Sequence, residues 1–419
     1  MKIHLETYGC TANRGDSELI LGQLLSAHHT LVSSPEEADV VIVNTCAVKG
    51  TTYRRMKSRL ERLRREGKRV VVAGCLPLID PGLTDGFDAI SCKSIPCLPE
   101  ILSRIERGER AVKMLFHPFS EKPLLPRVRL SRVSAIVQIA EGCLSNCSYC
   151  SVKLARGTLH SFSPEALERE VREAVEQGAR EILLTGQDTA AYGLDLGTGL
   201  PELLSRLASI PGEFRMRVGM MNPLFAERIL PGLLEAYESP KIYKFLHLPV
   251  QSGDDGVLRD MRRGYTVETF RRVVRAFRQR FPDLQLVTDI IVGFPTESGE
   301  AFRRTLELVE EIRPDKVNLS KFSPLPGTDA SRLKQLSSEE VAERSRILTG
   351  LCHRIGLEVN RRYVGKTFPA LIVERGTRGG VLARTPNYKP VVLKEGAIGE
   401  EVCVTIVRAE STYLVGERV

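Results

Sequence analysis

The stretch Glu141-Gly142-Cys143-Leu144-Ser145-Asn146-Cys147-Ser148-Tyr149-Cys150 places three thiols in a C-x3-C-x2-C spacing. It follows an apolar run, residues 134–140, that predicts a β-strand. Thiolates this close in one loop can converge on a metal centre, either zinc or an iron–sulfur cluster. A zinc site needs a fourth protein ligand nearby, and the next histidine is His160. Three thiolates instead suit a four-iron cluster that keeps one iron open for a reactant.

The composition is that of an ordinary soluble protein of two or three domains. The 419 residues include no long apolar span, so we expect a cytoplasmic protein with no membrane segment. We also expect the protein to be a monomer. The ten cysteines are too sparse for a disulfide scaffold, and their clustering indicates metal ligation in a reducing compartment. A net charge of +8 mildly favours a polyanionic partner.

Residues 1–115 alternate apolar strands with helices, which predicts a parallel α/β domain. The predicted strands are Lys2–Thr7, Val40–Asn44 and Arg69–Ala73, and the helices between them are Ser17–Ala27 and Thr51–Arg65. Each of the three strands leads into a cysteine, and these are Cys10, Cys46 and Cys75. Because ligands bind at the carboxyl ends of strands in open α/β sheets, we expect these thiols to meet and hold a second open-iron cluster. The isolated cysteines, read as structural or surface thiols, are Cys92, Cys97, Cys352 and Cys403.

The predicted helix after Cys46 is rich in arginine and lysine. Its basic residues are Arg54, Arg55, Lys57, Arg59, Arg62, Arg64 and Arg65. Guanidinium groups bind phosphates well, so this face is either an RNA contact or simply a solvated surface.

Residues 116–131 contain Pro118, Pro123 and Pro126 and predict a linker. Residues 132–360 then repeat a βα pattern. The predicted strands are Ser134–Ile139, Glu181–Thr185, Phe214–Val218, Lys244–Leu248, Gln285–Ile291 and Lys316–Lys321. The predicted helices are Pro164–Gln177, Pro201–Ser209, Phe225–Glu238, Val267–Arg280, Glu300–Ile312 and Ser338–Asn360. Six units predict an open (βα)6 partial TIM barrel, with its chemistry at the carboxyl ends of the strands.

Polar residues and glycines fall where that rule places a ligand. Gln187 and Asp188 follow the second strand, Gln251 and Ser252 follow the fourth, and Asp289 and Gly293 belong to the end of the fifth. We expect these side chains and backbones, and Tyr149 of the thiol loop, to contact a cofactor. His247 is left without a catalytic role.

Residues 361–419 change to an alternating pattern of short strands separated by glycine-bearing turns. They predict a small antiparallel β-barrel or sandwich. The segment has ten Lys/Arg against six Asp/Glu, and Tyr388 lies beside Lys389 in a turn. We expect an exposed aromatic on a basic barrel, as in RNA platforms, with a structural cap as the alternative.

The chain resembles the radical S-adenosylmethionine (SAM) methylthiotransferase family over essentially its full length. The motifs that carry the resemblance are Tyr8-Gly9-Cys10-Thr11-Ala12-Asn13, Asn44-Thr45-Cys46-Ala47-Val48, Gly74-Cys75-Leu76 and the loop from Gly142 to Cys150. The segment from Gly365, with Arg384-Thr385-Pro386-Asn387-Tyr388, resembles a TRAM domain, an RNA-binding β-barrel.

The resemblance implies two [4Fe–4S] clusters. The catalytic one is held by Cys143, Cys147 and Cys150 and binds SAM through its open iron, and the auxiliary one is held by Cys10, Cys46 and Cys75. It further implies that reductive SAM cleavage yields a 5′-deoxyadenosyl radical that takes hydrogen from carbon 2 of a modified adenine. A methylthio group, built on the auxiliary cluster with a second SAM, then passes to the base. An electron donor protein and a sulfur source are implied as partners, besides tRNA.

The loops Thr185-Gly186-Gln187-Asp188-Thr189-Ala190-Ala191-Tyr192-Gly193 and Val152-Lys153-Leu154-Ala155-Arg156-Gly157 look like the archaeal and eukaryotic branch. That branch acts on N(6)-threonylcarbamoyladenosine at position 37, beside the tRNA anticodon. The alternatives are an enzyme of the same family acting on isopentenyladenosine or on a ribosomal protein. An alternative of another class is a non-catalytic iron–sulfur or zinc protein that binds RNA.

Overall fold

The first 114 residues form a parallel sheet with helices on both faces, in a computed structural model that describes residues 1–46, 50–116, 121–376 and 379–419. Its strands are β1 (Lys2–Thr7), β2 (Thr30–Leu31), β3 (Val40–Thr45), β4 (Arg69–Gly74), β5 (Asp88–Ile90) and β6 (Lys113–Met114). Its helices are α1 (Thr11–Ser26), α2 (Gly50–Arg65), α3 (Leu76–Ile79) and α4 (Leu98–Glu106). The strand order is β2-β1-β3-β4-β5-β6, which confirms the predicted parallel α/β domain.

The apolar run of β3 is buried on both faces of this sheet. Ile42 packs with residues of α1 and α4, while Val41 and Val43 pack with residues of α2 and α3. Burial on both sides explains why the run is continuous rather than alternating. The motif residues Ala47 and Val48, and Pro118 of the predicted linker, lie outside the described residues.

The central domain is built of two three-stranded parallel sheets. Its strands are β7 (Ser134–Gln138), β8 (Ala140–Glu141), β9 (His160–Ser161), β10 (Glu181–Thr185), β11 (Arg215–Arg217), β12 (Phe245–His247), β13 (Gln285–Val292) and β14 (Lys316–Lys321). The sheets β11-β10-β7 and β12-β13-β14 are joined by a parallel bridge between Met216 and Ile242. Six parallel strands therefore follow one another from β7 to β14, which confirms the open partial barrel. The short β8 and β9 form a separate antiparallel ribbon.

The helices of the central domain are α5 (Val152–Arg156), α6 (Pro164–Glu176), α7 (Leu200–Ala208), α8 (Pro223–Arg228), α9 (Leu230–Ala236), α10 (Asp255–Asp260), α11 (Val267–Arg280), α12 (Gly299–Ile312) and α13 (Ser338–Arg361). The single helix predicted over residues 225–238 is wrong, because the structure has two, α8 and α9, that meet at Ile229. Pro231 has no amide hydrogen and restricts the residue before it, so it starts a new helix rather than continuing one. Over the described part of the chain, every helix is too short or too polar to cross a bilayer.

The last domain is a closed five-stranded barrel. Its strands are β15 (Thr367–Arg375), β16 (Val381–Arg384), β17 (Pro390–Leu393), β18 (Glu401–Ala409) and β19 (Leu414–Arg418), in the order β15-β16-β17-β19-β18. The predicted barrel is confirmed, although β17 and β19 pair in parallel and the other neighbours are antiparallel.

The expected exposed aromatic of this barrel is a wrong prediction. Tyr388 packs edge-on against Tyr243 and Phe245 of the central domain, with ring centroids 4.9 and 5.0 Å apart. Lys389 is 2% exposed and pairs with Asp315 at 2.7 Å. This turn therefore joins the barrel to the central domain instead of presenting a stacking surface.

Candidate active site

The three amino-terminal thiols come together at the carboxyl ends of neighbouring strands. β1, β3 and β4 are adjacent and parallel, and Cys10, Cys46 and Cys75 follow their last residues closely. Gly9 has φ +112°, and a Cβ there would lie 2.8 Å from Cys46 Sγ. Only glycine lets the first loop approach the second this closely. The three cysteines that sequence analysis placed together are together in the structure.

The side chain of Asn13, in the first turn of α1, holds these three loops. Its Oδ1 lies 3.8 Å from Cys10 Sγ and 3.9 Å from Cys75 Sγ. Its Nδ2 donates to the carbonyls of Tyr8 and Thr45, at 3.1 and 2.7 Å. No role was predicted for Asn13, although this residue stands three positions after Cys10, at the start of a helix.

Cys10 has a thiol that loses its proton easily. A hydrogen bond from Cys46, the charge of Arg156 and the amides of Asn13 and Ala12 lower the pKa of Cys10 to about 6, against the effect of burial. The amides belong to the amino end of α1, where unpaired N–H groups favour an anion. Cys10 is therefore suited to bind a metal as the thiolate.

Cys92 is a fourth thiol beside this site. Its side chain hydrogen-bonds Cys75, and its Sγ also donates to the carbonyl of Ala155 at 3.4 Å. The residue is fully buried, and this contact and burial raise its pKa well above the ordinary value. The structural role expected for Cys92 agrees with this placement.

The second set of thiols lies in the loop after β8. Gly142 has φ +81°, and a Cβ there would collide with the carbonyl oxygen of Thr158. The amide of Cys143 donates to Gly157 O at 3.1 Å, and that of Cys150 donates to Cys147 O at 3.2 Å. The loop is thus folded back on itself by its own backbone.

Ser148 anchors the same loop to the far side of the barrel. Its amide donates to Met261 O at 3.1 Å, its hydroxyl donates to Asp260 O at 2.7 Å, and its carbonyl accepts from Ala330 N at 2.8 Å. The thiol loop, which follows β7 and β8, is therefore attached to the end of α10 and the residue after it.

Burial makes the thiolates of this loop unstable without a positive partner. Desolvation raises the pKa of Cys150 to about 12 and that of Cys143 above its ordinary value, and the neighbouring thiols add to both effects. A bound metal offsets this cost, because thiolates are the form that ligates iron. The loop fits a metal centre better than it fits three free cysteines.

Arg263 supplies a buried positive charge next to these thiols. Its Nη1 lies 3.1 Å from Cys147 Sγ and 3.4 Å from the Tyr149 hydroxyl, while its Nε donates to the Tyr265 hydroxyl at 3.1 Å. Arg263 was not predicted as a site residue, since it is 116 residues from Cys147 in the chain. A basic pair followed by glycine and tyrosine, Arg262-Arg263-Gly264-Tyr265, was its only signal.

Of the predicted cofactor residues, Gln187 contacts the thiol loop and Asp188 lies near Cys143. Gln187 Oε1 accepts the amide of Gly142 at 2.7 Å. Asp188 Oδ1 accepts the amides of Asn222 and Ala190, at 3.0 and 3.2 Å. Burial raises the pKa of Asp188 to about 6, and its Oδ2 is buried with no hydrogen-bond partner among the described residues. Such an orphaned oxygen fits a polar ligand group placed beside Cys143.

The remaining predicted cofactor residues lie around β13. Gln251 has φ +73° and exchanges backbone hydrogen bonds with Asp289 and Ile291. The carboxylate of Asp289 accepts from Asn318 Nδ2 at 2.8 Å and lies 2.9 Å from His247 Nε2. His247 is thus a hydrogen-bond partner of Asp289 inside the barrel.

Ser252 and Gly293 lie against helices of the barrel. The Ser252 hydroxyl accepts the amide of Asp254 at 3.2 Å and lies 3.5 Å from Thr305 Oγ1 of α12. A Cβ at Gly293 would come within 2.5 Å of Val341 of α13. Packing already accounts for both residues, so their cofactor contacts stay predictions.

A buried cluster of charges connects the two thiol sites. Lys122 Nζ lies 2.9 Å from both Asp16 Oδ1 and Glu141 Oε1. Arg156 reaches the same two carboxylates, at 2.6 and 2.8 Å, and also donates to Asn13 Oδ1 at 3.1 Å. Burial raises the pKa of Asp16, but the charges of Arg156 and Lys122 outweigh this effect and lower the pKa to about 2. All four charged side chains are at most 8% exposed.

This charge cluster fixes one thiol site relative to the other. Glu141 directly precedes Gly142 and Cys143, Arg156 ends the helix after Cys150, and Asp16 belongs to α1, the helix that follows Cys10. In addition, α3, which begins after Cys75, packs against α5. The two sites are therefore parts of one rigid arrangement of side chains.

The two kinds of metal centre place different demands on the thiols that bind them. In the part of the chain that the structure describes, no three Cys, His, Asp or Glu side chains surround a single point as ligands of one ion would. A four-iron cluster binds each thiolate through a different iron and so takes ligands that are farther apart. Both sets of three cysteines supply thiolates, the donor atoms that such a cluster takes.

Three family models match the chain, in the order of its domains. The model described as "Uncharacterized protein family UPF0004" matches residues 2–83, the Radical SAM superfamily matches residues 137–309, and the TRAM domain matches residues 361–419. Among solved structures, the radical SAM methyltransferase TsrM from Kitasatospora setae covers 91% of this chain and 79% of its own, with a TM-score of 0.56 at 15% identity. The cobalamin-dependent SAM radical enzyme OxsB covers 84% of this chain and 56% of its own, with a TM-score of 0.54 at 12% identity. The fold and the thiol loop thus define a radical SAM enzyme.

Relatives from archaea and animals match over the whole chain. A "Probable threonylcarbamoyladenosine tRNA methylthiotransferase" of Pyrococcus horikoshii is 46% identical, over 100% of this chain and 99% of its own. A protein with the same name from Archaeoglobus fulgidus is also 46% identical, over 100% and 98%. The "Threonylcarbamoyladenosine tRNA methylthiotransferase" of Drosophila melanogaster is 35% identical, over 99% of this chain and 77% of its own. The chain belongs to the threonylcarbamoyladenosine tRNA methylthiotransferase family.

Proposed function

We propose that this enzyme adds a methylthio group to carbon 2 of N(6)-threonylcarbamoyladenosine, beside the anticodon of tRNA. The observation that carries the proposal is the contact of Arg156 with both Asn13, between Cys10 and Cys75, and Glu141, next to Cys143. A sulfur-inserting radical enzyme needs its radical generator and its sulfur carrier held at a fixed separation. The substrate follows from the names of the full-length relatives.

Two [4Fe–4S] clusters would be held by the two sets of cysteines. Cys143, Cys147 and Cys150 would hold the catalytic one, and Cys10, Cys46 and Cys75 the auxiliary one. When bound, the clusters and SAM supply the electron, the carbon radical, the sulfur and the methyl group of the reaction. The predicted SAM contacts are Tyr149, Gln187, Asp188, Gln251, Ser252, Asp289 and Gly293.

The chain's own residues would position these groups. Asp188 offers its orphaned carboxylate oxygen to a polar group of SAM, which supplies the partner that burial requires. Arg263 donates to Cys147 and so stabilises negative charge on the catalytic thiolates. Tyr265 and Met261, which are 8% and 0% exposed, are buried beside this loop, whose three cysteines are partly exposed.

The partners of the reaction are tRNA, an electron donor protein and a sulfur source. We place the enzyme in the cytoplasm, where tRNA and reduced thiols are found, and expect it to act as a monomer.

Nucleoside mass spectrometry of tRNA tests the proposal. Anaerobically reconstituted enzyme, with reductant, SAM and sulfide, is incubated with tRNA carrying threonylcarbamoyladenosine or isopentenyladenosine. A methylthio derivative should form on the first nucleoside only, and equally with the control variant Cys403→Ala, whose thiol is exposed on the last barrel. Methylthiolation of isopentenyladenosine alone, or of neither nucleoside, would refute the proposed substrate.

A further inference from the structure

Helix α2 contains more Lys and Arg residues than any other helix or strand described. Its sequence, Gly50–Arg65, contains seven Lys/Arg and one acidic residue, Glu61. The closed barrel domain, residues 361–419, has ten Lys/Arg and six Asp/Glu over a much longer segment. A concentration of charge on one short helix is the electrostatic footprint of a polyanion site.

Part of this charge is committed to partners within the domain, and part is not required there. Arg59 pairs with Glu6, and Arg64 stacks on Phe87, with its Cζ 4.2 Å from the ring centroid. Arg54, Arg62 and Arg65 are exposed and lie at positions i, i+8 and i+11, which a helix places on one face. Arg62 has an exposed i,i+4 partner, Glu66, at 3.7 Å, and such a surface pair contributes little. The apolar face, with Met56, Leu60 and Leu63, is buried against the sheet. The fold thus turns a row of guanidinium groups outward over about 16 Å of helix axis.

The location of α2 relates this row to the active site. A Cβ at Gly50 would collide with the side chain of Ser323, so the first turn of α2 touches the loop after β14. Among the described strands, β14 pairs with β13 alone and is the edge of the open barrel. The helix also follows Cys46 in the chain. The row therefore begins beside the gap of the barrel, at the end of the strands where the thiol sites lie.

We propose that the row formed by Arg54, Arg62 and Arg65 binds the phosphate backbone of the substrate RNA next to the anticodon loop. The inference rests on the proposed function, which requires one base of the RNA to enter the barrel while its stem stays outside. Arginines at this spacing cover several consecutive phosphates of one strand, and they would fix the orientation of the RNA without reading its sequence. The turn of Tyr388 and Lys389 does not share this task, because it is buried between domains.

The experiment compares two triple variants of the reconstituted enzyme that lose the same charge. The test variant is Arg54→Ala/Arg62→Ala/Arg65→Ala. The control replaces three exposed arginines on outer helices of the central domain, and it is Arg169→Ala/Arg275→Ala/Arg303→Ala. Binding of a fluorescent anticodon stem-loop RNA is measured by anisotropy between 50 and 200 mM salt.

The test variant should bind at least about tenfold more weakly, and the slope of log K against log salt should fall by roughly two to three. The control should change neither quantity beyond a small general effect of net charge. Both variants should keep full iron content and RNA-independent SAM cleavage. Wild-type affinity and slope in the test variant would overturn the proposal.

The result separates this surface from the proposed substrate. If wild-type enzyme modifies threonylcarbamoyladenosine but the test variant binds RNA normally, the surface is refuted and the function stands. If the row binds an acidic electron donor protein instead, the test variant will need more donor for SAM cleavage while RNA affinity stays unchanged, which also refutes the proposal. If the test variant loses RNA binding while the wild-type enzyme methylthiolates neither nucleoside, the surface is supported and the proposed substrate alone is refuted.

Discussion

Arg156 Nη2 lies 3.1 Å from Asn13 Oδ1, across the boundary between the first domain and the barrel. The same guanidinium bonds Glu141, which precedes the catalytic thiol loop, and Asp16, which belongs to the helix after Cys10. One side chain thus contacts the support of both thiol sites. Because it is buried with its partners, its removal leaves carboxylates without compensation.

Replacing Arg156 should destabilise the enzyme strongly. Arg156→Ala leaves Asp16 and Glu141 with Lys122 as their only cation in the cluster, so we expect a loss of about 3–5 kcal/mol in the free energy of unfolding. Urea unfolding followed by circular dichroism measures it. The matched control is Arg169→Ala, whose exposed pair with Glu173 should contribute less than about 0.5 kcal/mol. Equal stability of the two variants would show that the buried cluster does not hold the domains together.

Arg263 should tune the catalytic cluster electronically. Its donation to Cys147 Sγ stabilises the more negative, reduced state, so Arg263→Gln should lower the reduction potential of that cluster and slow SAM cleavage. Electron paramagnetic resonance during a redox titration checks the potential. Iron content should stay that of the wild type. An unchanged potential with slower cleavage would assign Arg263 a role in packing only.

Asp188 should make stability depend on pH in a defined direction. Its pKa is raised to about 6 by burial, so the folded state binds a proton more tightly than the unfolded state. The group therefore costs stability as the pH rises, with the full cost above about pH 6 and relief as the pH falls toward 4. Asp188→Asn removes this titration.

The measurement for Asp188 is the difference in unfolding free energy between Asp188→Asn and wild type, at pH 5 and pH 7. The variant's relative stability should rise by roughly 1 kcal/mol from pH 5 to pH 7. A difference that stays flat, or that falls with pH, contradicts a raised pKa for the buried carboxylate.

The domains and the placement of the thiols at the ends of strands could be predicted because the sequence patterns that indicate them are local. β3 and β4 contain continuous apolar runs and β1 alternates, and each of the three thiols follows the end of one of these strands, as at β3 and Cys46. Parallel pairing then brings the three cysteines together without further information. The thiol loop of the barrel is likewise contained in ten consecutive residues.

The supporting residues could not be predicted, because their partners are distant in the chain. Arg156 meets Asn13 across 143 residues, and Arg263 meets Cys147 across 116. An arginine in a short helix gives no sign of such a contact. The exposure predicted for Tyr388 was wrong for the same reason. An aromatic residue beside a lysine in a turn is expected to be exposed, but Tyr243 and Phe245 cover this one in the fold.

The central claim is that the two sets of cysteines hold separate clusters with separate tasks. It is tested most directly by comparing Cys46→Ala with Cys147→Ala after anaerobic reconstitution, with iron analysis, SAM cleavage and nucleoside mass spectrometry on the same samples. Wild type should hold about eight irons per chain and each variant about four. Cys46→Ala should still release 5′-deoxyadenosine from SAM but form no methylthio nucleoside, whereas Cys147→Ala should do neither. Loss of both clusters in either variant, or methylthio transfer by Cys46→Ala, would contradict the account.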